Sequence, residues 1–182
     1  HLPEEEKKAI VEAFSRAISS VCPSSYLAAP DIYMAEKEMK WFAEANGDMK
    51  ACTGKPADMG GIPHEFGSTG CGVAHATRVA LAHAGIDITK ATVAIEGFGN
   101  VGTFVMKFLP EWGAKVVAVT DSKGGIHDAS GLNYDELLKV KQETGSVVNY
   151  DKGQKISNAQ GFGLDVSVLI PAALADVIND GN

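Results

Sequence analysis

The sequence predicts an α/β protein built on a doubly wound sheet, and three observations in the middle of the chain carry that prediction. Thr92–Ile95 is a short, apolar, β-branched run of the kind buried between two layers. Gly97, Gly99 and Gly102 then complete G-x-G-x-x-G, followed by an apolar helical pattern through Val105, Met106 and Leu109 that Gly113 ends. Lys115–Thr120 supplies a second strand, closing on Asp121, 24 positions after Gly97. A lone glycine fingerprint is weak, but a fingerprint that opens between a strand and a helix, with an acid ending the next strand, predicts the adenosine half of a Rossmann-like sheet.

Each residue type has a physical task in that reading. Gly97 permits the tight turn, Gly99 lets the backbone approach a pyrophosphate, and Gly102 lets the helix pack on the strand. Backbone N–H groups of Phe98, Gly99, Asn100, Val101 and Gly102 then face an anion at the positive end of the helix. Asp121 is expected to accept hydrogen bonds from both hydroxyls of an adenosine ribose and to repel a 2′-phosphate, which favours NAD over NADP. Lys123, two residues on, leaves that preference open.

The 182 residues, 45% of them apolar and 20 of them glycine, suffice for a sizeable core. A net charge of −7 argues against nucleic acid and against an anionic membrane, because a phosphate lattice needs a basic stripe and none is present. Cys22, Cys52 and Cys71 are odd in number and form no C-x-x-C, so they predict unreactive thiols in a reducing cytoplasm rather than disulfides or a zinc site. His75 and His83 lie eight positions apart, too far for a shared helical metal pair, and no metal is expected. The chain opens on His1 rather than Met, which suggests a piece of a longer protein.

In chain order, Pro3–Val21 predicts a helix with Glu4, Glu5 and Glu6 at its positive end. Ile10, Val11, Phe14, Ala17, Ile18 and Val21 form the expected buried face, and the Glu/Lys face reads as solvated. A second helix is expected over Ile32–Ala45, stopped by Gly47. Asp31 before it is either an N-cap or a carboxylate at a cleft that exchanges a proton with a substrate amine. Residues 48–67, rich in glycine and proline, read as a loop or a crossover between lobes whose length suggests a function; the plain reading has Lys55 in a turn pointing to water, and His64 is more simply a loop residue than a substrate contact. Ser68 or Thr69 is expected to cap a helix from Gly70 to about Ala84, with the Thr69 hydroxyl also a candidate for the nicotinamide end of a dinucleotide.

Beyond Asp121, Ser122–Ile126 reads as a turn, Leu132–Thr144 as a helix and residues 146–163 as polar and irregular, with Ser157-Asn158 a short cap. Asp165–Ile170 is expected as the third strand. Ligands of doubly wound sheets sit at the carboxyl ends of strands, so the backbone at Pro171–Ala173 should face the adenosine.

With these residues in place the chain resembles the glutamate dehydrogenase family of amino acid dehydrogenases. Pro30-Asp31 ahead of Trp41-Phe42, TGKP at 53–56, STG-x-G at 68–72, EGFGNVG at 96–102, VTDSKGGI at 119–126, ETGSVV at 143–148 and LIPAAL at 169–174 carry the resemblance. It implies reversible oxidative deamination of L-glutamate to 2-oxoglutarate and ammonia, with hydride passing to NAD or NADP, in a homo-oligomeric parent enzyme. By the same resemblance Asp31 is the catalytic acid–base and Thr69 contacts the nicotinamide amide. Phe98–Gly102 form the pyrophosphate turn, Asp121 and Ser122 the ribose site, and Ala172–Ala173 an adenine contact. Residues 1–47 become the end of a substrate domain and 48–182 a partial dinucleotide-binding domain.

Two local departures stand out: Cys71 replaces an Arg common in the family, and Ile62–Phe66 replaces a serine-rich stretch. The family's G-G-x-K-G-G motif with its catalytic lysine is absent, so the resemblance implies a fragment inactive alone. The alternative is a non-catalytic dinucleotide-binding or regulatory module.

Overall fold

Residues 2–62 and 66–180 are described by a computed structural model, in which the chain divides into two compact units, His1–Phe66 and Gly67–Asn182. The division falls after the TGKP loop, whereas the sequence reading placed it at 47/48. Ala51 and Cys52 are the cause: both are buried among Met39, Trp41, Phe42 and Ala43, so the loop belongs to the first unit's core.

In the first unit, α1 (Glu4–Ala17) starts at Pro3 with three glutamates in its first turn, where the macrodipole favours them. It stops earlier than predicted. Residues 18–25 form successive turns, and the Ser19 hydroxyl donates to the Arg16 carbonyl at 2.9 Å, the local competition by which serines break helices. The buried stripe is also rotated from the expected one. Val11 and Ser15 face inward, Ser15 Oγ donating to the Phe42 carbonyl at 2.6 Å, while Ile10 and Phe14 are exposed.

The second helix, α2 (Glu36–Asn46), ends at Gly47 in the left-handed conformation (φ +84°), as expected, but begins four residues later than the sequence suggests. Asp31 is therefore not its cap. The residues between form a turn in which the Met34 N–H donates to the Asp31 carbonyl at 2.8 Å and Tyr33 sits at φ +60°, outside helical space.

In the second unit, α3 (Ser68–His83) leads into β1 (Thr92–Glu96), α4 (Asn100–Glu111) and β2 (Lys115–Asp121). The chain continues through β3 (Gly124–His127), α5 (Tyr134–Thr144), β4 (Gln154–Ile156), α6 (Asn158–Phe162) and β5 (Val168–Pro171). The sheet order is β4-β3-β2-β1-β5, with β1 parallel to both β2 and β5, and β3 antiparallel to β2 and β4. Val93 and Ile95 of β1 pack into one core with Val105, Met106 and Leu109 of α4. Ala94 and Ala118 face the opposite way, into a smaller cluster with Ile156, Leu164 and Leu169. Burial on both faces explains why β1 reads as an unbroken apolar run.

Two strands lie where the sequence suggested none. Gly124–His127, expected as turn, pairs with β2, and Gln154–Ile156 inside the polar stretch pairs with β3. The predicted third strand, Asp165–Ile170, is the fifth, shifted to Val168–Pro171. Neither Ser68 nor Thr69 caps α3. Gly67 holds that position at φ +66°, and a Cβ there would run into the ring of Phe104.

Candidate functional site

The glycine turn between β1 and α4 is built from three different constraints. Gly97 lies at φ +94°, and a Cβ on it would stand 2.7 Å from Ala173 Cβ and 3.1 Å from the Ala172 carbonyl. The Ala172 N–H donates to the Glu96 carbonyl at 2.7 Å, so the exit of β5 is stitched to the start of the turn. A Cβ on Gly102 would run into the Gly97 carbonyl oxygen, which holds α4 tight against the turn. Gly99 differs from both. Its φ is −94°, it is exposed, and an added Cβ would meet nothing within 4 Å. As the N-cap of α4 it supplies no side-chain acceptor to the first turn, so the helix's positive end faces open space.

The neighbours of this turn have distinct roles. The Phe98 side chain is buried in the main core, which leaves its backbone as the part available to a ligand, while Asn100 is exposed and Val101 half-buried. A Cβ on Gly70 would come within 2.8 Å of the Val101 carbonyl, so the start of α3 lies directly against the first turn of α4. Exposed Thr69, one residue earlier, is thereby brought to the same end of the sheet, as are Ala172 and Ala173. At this end two buried side-chain atoms, Glu96 Oε2 and Thr120 Oγ1, have no hydrogen-bond partner.

Asp121 has partners that the sequence did not suggest. It is only 7% exposed, and its carboxylate accepts four hydrogen bonds from within the protein. Oδ1 takes the Lys123 N–H at 2.8 Å and Ser146 Oγ at 3.1 Å, and Oδ2 takes Lys141 Nζ at 2.7 Å and the Val147 N–H at 2.9 Å. A carboxylate has about four lone-pair sites, so all are engaged, and the expected pair of ribose hydroxyls finds no vacant acceptor. Burial alone would raise its pKa. The Lys141 ammonium and the other three donors outweigh that and hold it below the usual carboxylate range. The residue thus ties the end of β2 to α5 and to the 146–147 turn. Ser122 and Lys123, exposed, form the two-residue loop between β2 and β3. Lys141 and Ser146 escaped the sequence reading because nothing in the local pattern marks them as partners of Asp121.

In the first unit Asp31 is exposed, with Oδ1 accepting the Ile32 N–H at 2.8 Å. Two contacts secure its backbone from the TGKP side. Ala28 and Cys52 form a parallel bridge, with the Thr53 N–H donating to the Ala28 carbonyl at 2.9 Å. Gly54, at φ +68°, lies so close to Pro30 that a Cβ would stand 2.6 Å from the proline ring. Lys55 does not point to water: it is 8% exposed and its ammonium donates to the Cys52 carbonyl. Nor is the Glu/Lys face of α1 merely solvated, since Lys7 Nζ reaches the Tyr33 carbonyl and Glu38 Oε1, each at 2.5 Å. His64 lies outside the described residues. Cys71 is half-buried and unpaired, and among the described residues no cluster of three His, Cys, Asp or Glu is placed to hold a metal. Among them, too, no helix is long and apolar enough to cross a membrane.

The sequence pattern of the Glutamate/Leucine/Phenylalanine/Valine dehydrogenase family matches residues 60–182. The chain is 42% identical over 160 residues to the NADP-specific glutamate dehydrogenase of Saccharolobus shibatae, covering 85% of this chain and 38% of that protein. It is 35% identical over 184 residues to the NAD-specific glutamate dehydrogenase of Staphylococcus aureus, covering 97% and 44%. In structure it is similar to the hetero-hexameric glutamate dehydrogenase of Thermus thermophilus in its leucine-bound form, with a TM-score of 0.85 and 27% identity over 98% of this chain and 44% of that one. The chain spans about two fifths of the length of the curated relatives it matches.

Proposed function

Because this chain belongs to the Glutamate/Leucine/Phenylalanine/Valine dehydrogenase family, we propose that it forms part of an NAD(P)-dependent oxidoreductase. The reaction is the reversible deamination of L-glutamate to 2-oxoglutarate and ammonia. The observation that carries the cofactor part is the Gly99 N-cap: an open, side-chain-free helix start between two glycines whose own Cβ positions are filled. A nicotinamide dinucleotide, when bound, supplies the hydride acceptor. The backbone of Phe98–Gly102 binds its diphosphate, the Thr69 hydroxyl orients the nicotinamide amide, and Ala172–Ala173 border the adenine. Ser122 takes the ribose, with Asp121 fixing the loop that presents it. Asp31 accepts a proton from the substrate amino group and returns it in the reverse direction, as an exposed carboxylate on a fixed backbone can.

NAD and NADP both stand as cofactors. Asp121 carries a negative charge at the ribose end, but Lys141 compensates it across 2.7 Å, so the acid alone does not repel a 2′-phosphate. We assign the parent enzyme to a homo-oligomer in the cytoplasm. Exposed Ile10 and Phe14 on α1 offer apolar surface of the kind assembly covers, and three free thiols suit a reducing compartment.

The direct test is Gly99→Val, read by titration calorimetry with NAD. The new side chain enters open space at a permitted φ, so the fold is expected to lose no more than about 1 kcal/mol. The diphosphate loses its place, and affinity should fall at least tenfold. Unchanged NAD affinity in a folded variant would overturn the assignment of this turn.

A further inference from the structure

We propose that Lys7 and Glu38 are positioning residues for Asp31, pinning from α1 and α2 the short turn that carries it. The inference deepens the reading of Asp31 as the proton-transfer group and rests on it. The observation behind it is a segment, residues 31–35, that has no helix or strand to hold it and contains a strained backbone. Tyr33 is a non-glycine residue at φ +60°, a sparsely populated conformation that persists only where the surroundings over-determine it. Tyr33 is also 77% exposed, so burial of its ring does not enforce the turn.

Lys7 and Glu38 hold this turn at two points. Lys7 Nζ lies 2.5 Å from the Tyr33 carbonyl and 2.5 Å from Glu38 Oε1. The other Glu38 oxygen accepts the Ala35 N–H at 2.9 Å. One ammonium–carboxylate pair therefore grips the turn at two backbone groups, the carbonyl at its apex and the amide at its exit. The pair is sheltered rather than solvated, with side-chain exposures of 28% for Lys7 and 10% for Glu38, so it is screened less than a surface ion pair. The Lys7 ammonium and the Ala35 N–H together overcome the desolvation of Glu38 and keep its pKa below the ordinary value, so the grip holds at neutral pH.

On its other side the same turn is closed by Asp31 itself, through the Met34 N–H on its carbonyl and the Ile32 N–H on Oδ1, both at 2.8 Å. Pro30 is wedged against Gly54. The carboxylate is thus aimed by backbone contacts that Lys7 and Glu38 anchor from the neighbouring helices. A misplacement of about 1 Å costs up to a hundredfold in rate when a group must meet a reacting atom, so losing this grip should appear in turnover.

The experiment uses the full-length enzyme that carries this sequence, with Lys7→Met, Lys7→Arg, Glu38→Gln, Asp31→Asn and the double variant Lys7→Met/Asp31→Asn. Lys7→Met and Glu38→Gln are each expected to lower kcat for glutamate oxidation about tenfold with KM changed less than twofold. Lys7→Arg, which can donate to both acceptors, should restore most of the rate. In the Asp31→Asn background, Lys7→Met should have no further effect, because a positioning residue acts only through the group it positions. Multiplicative losses in the double variant, or wild-type kcat in folded Lys7→Met and Glu38→Gln, would overturn the proposal while leaving Asp31 in place. Near wild-type activity in Asp31→Asn would instead remove the catalytic reading of Asp31, and the proposal with it. If Lys7→Met does not fold, Glu38→Gln against Lys7→Arg decides on the same kcat criterion.

Discussion

A buried carboxylate with four donors is a stability element whether or not a cofactor is near, and Asp121 has the pH signature of one. Its pKa is depressed in the folded protein, so its contribution is fully present above the unfolded value of about 3.9 and is lost as pH falls through the folded value. Asp121→Asn places an amide where four donors converge and should destabilise the chain by about 3 kcal/mol at pH 7. The gap from the parent protein should narrow steadily below pH 4, as urea melts at a series of pH values will show; a pH-independent gap would contradict the charged-anchor account. Lys141→Met makes a complementary prediction, since it leaves the Asp121 charge uncompensated. NADP affinity should then fall at least fivefold relative to NAD in parallel titrations, and an unchanged ratio would mean that the ion pair does not sense the 2′ position. The sequence displayed Asp121 as an acid ending a strand, which is local information. Three of its four donors stand 20 to 26 residues further along, in a helix and a turn with no pattern that points back to it.

Elements were legible in proportion to how much of their definition is local. β1, α4 and β2 announce themselves because continuous apolar runs, helical spacing and glycine punctuation all lie within the segment. β3 does not, for its first two residues are glycines and its strand character comes from pairing with β2: a Cβ on Gly125 would stand 2.6 Å from Thr120 Cγ2. β4 is three residues long and exists as the partner of β3. The late start of α2 has the same origin, since the turn before it is held by Lys7 from another helix. The fit of α4 to the glycine turn yields a prediction at this scale. Gly102→Ala drives a methyl into the Gly97 carbonyl, and the helix must shift to admit it. Overpacking of this kind costs about 1–3 kcal/mol, so thermal unfolding and NAD affinity should fall together. Gly99→Val should lower affinity with stability nearly preserved. If both variants lose stability equally, the open space at Gly99 is not what distinguishes the two glycines.

For the whole molecule, the proposed cofactor role turns on how the sheet is built. Its parallel portion is β2-β1-β5, one β-α-β unit plus the strand beside it, extended on the far side by two antiparallel strands. A complete dinucleotide fold pairs two mononucleotide halves across its switch point, and on the proposed reading the described strands form the half bearing the glycine turn and Asp121. Binding energy in this 182-residue chain should therefore come from the adenosine and diphosphate, with the nicotinamide half adding little. ADP-ribose is then expected to bind the chain within about threefold of NAD, and glutamate should produce no NADH with the chain alone. If titration shows NAD binding more than tenfold tighter than ADP-ribose, the chain grips the nicotinamide end as well, and Thr69 at the start of α3 becomes the first residue to substitute in locating that grip.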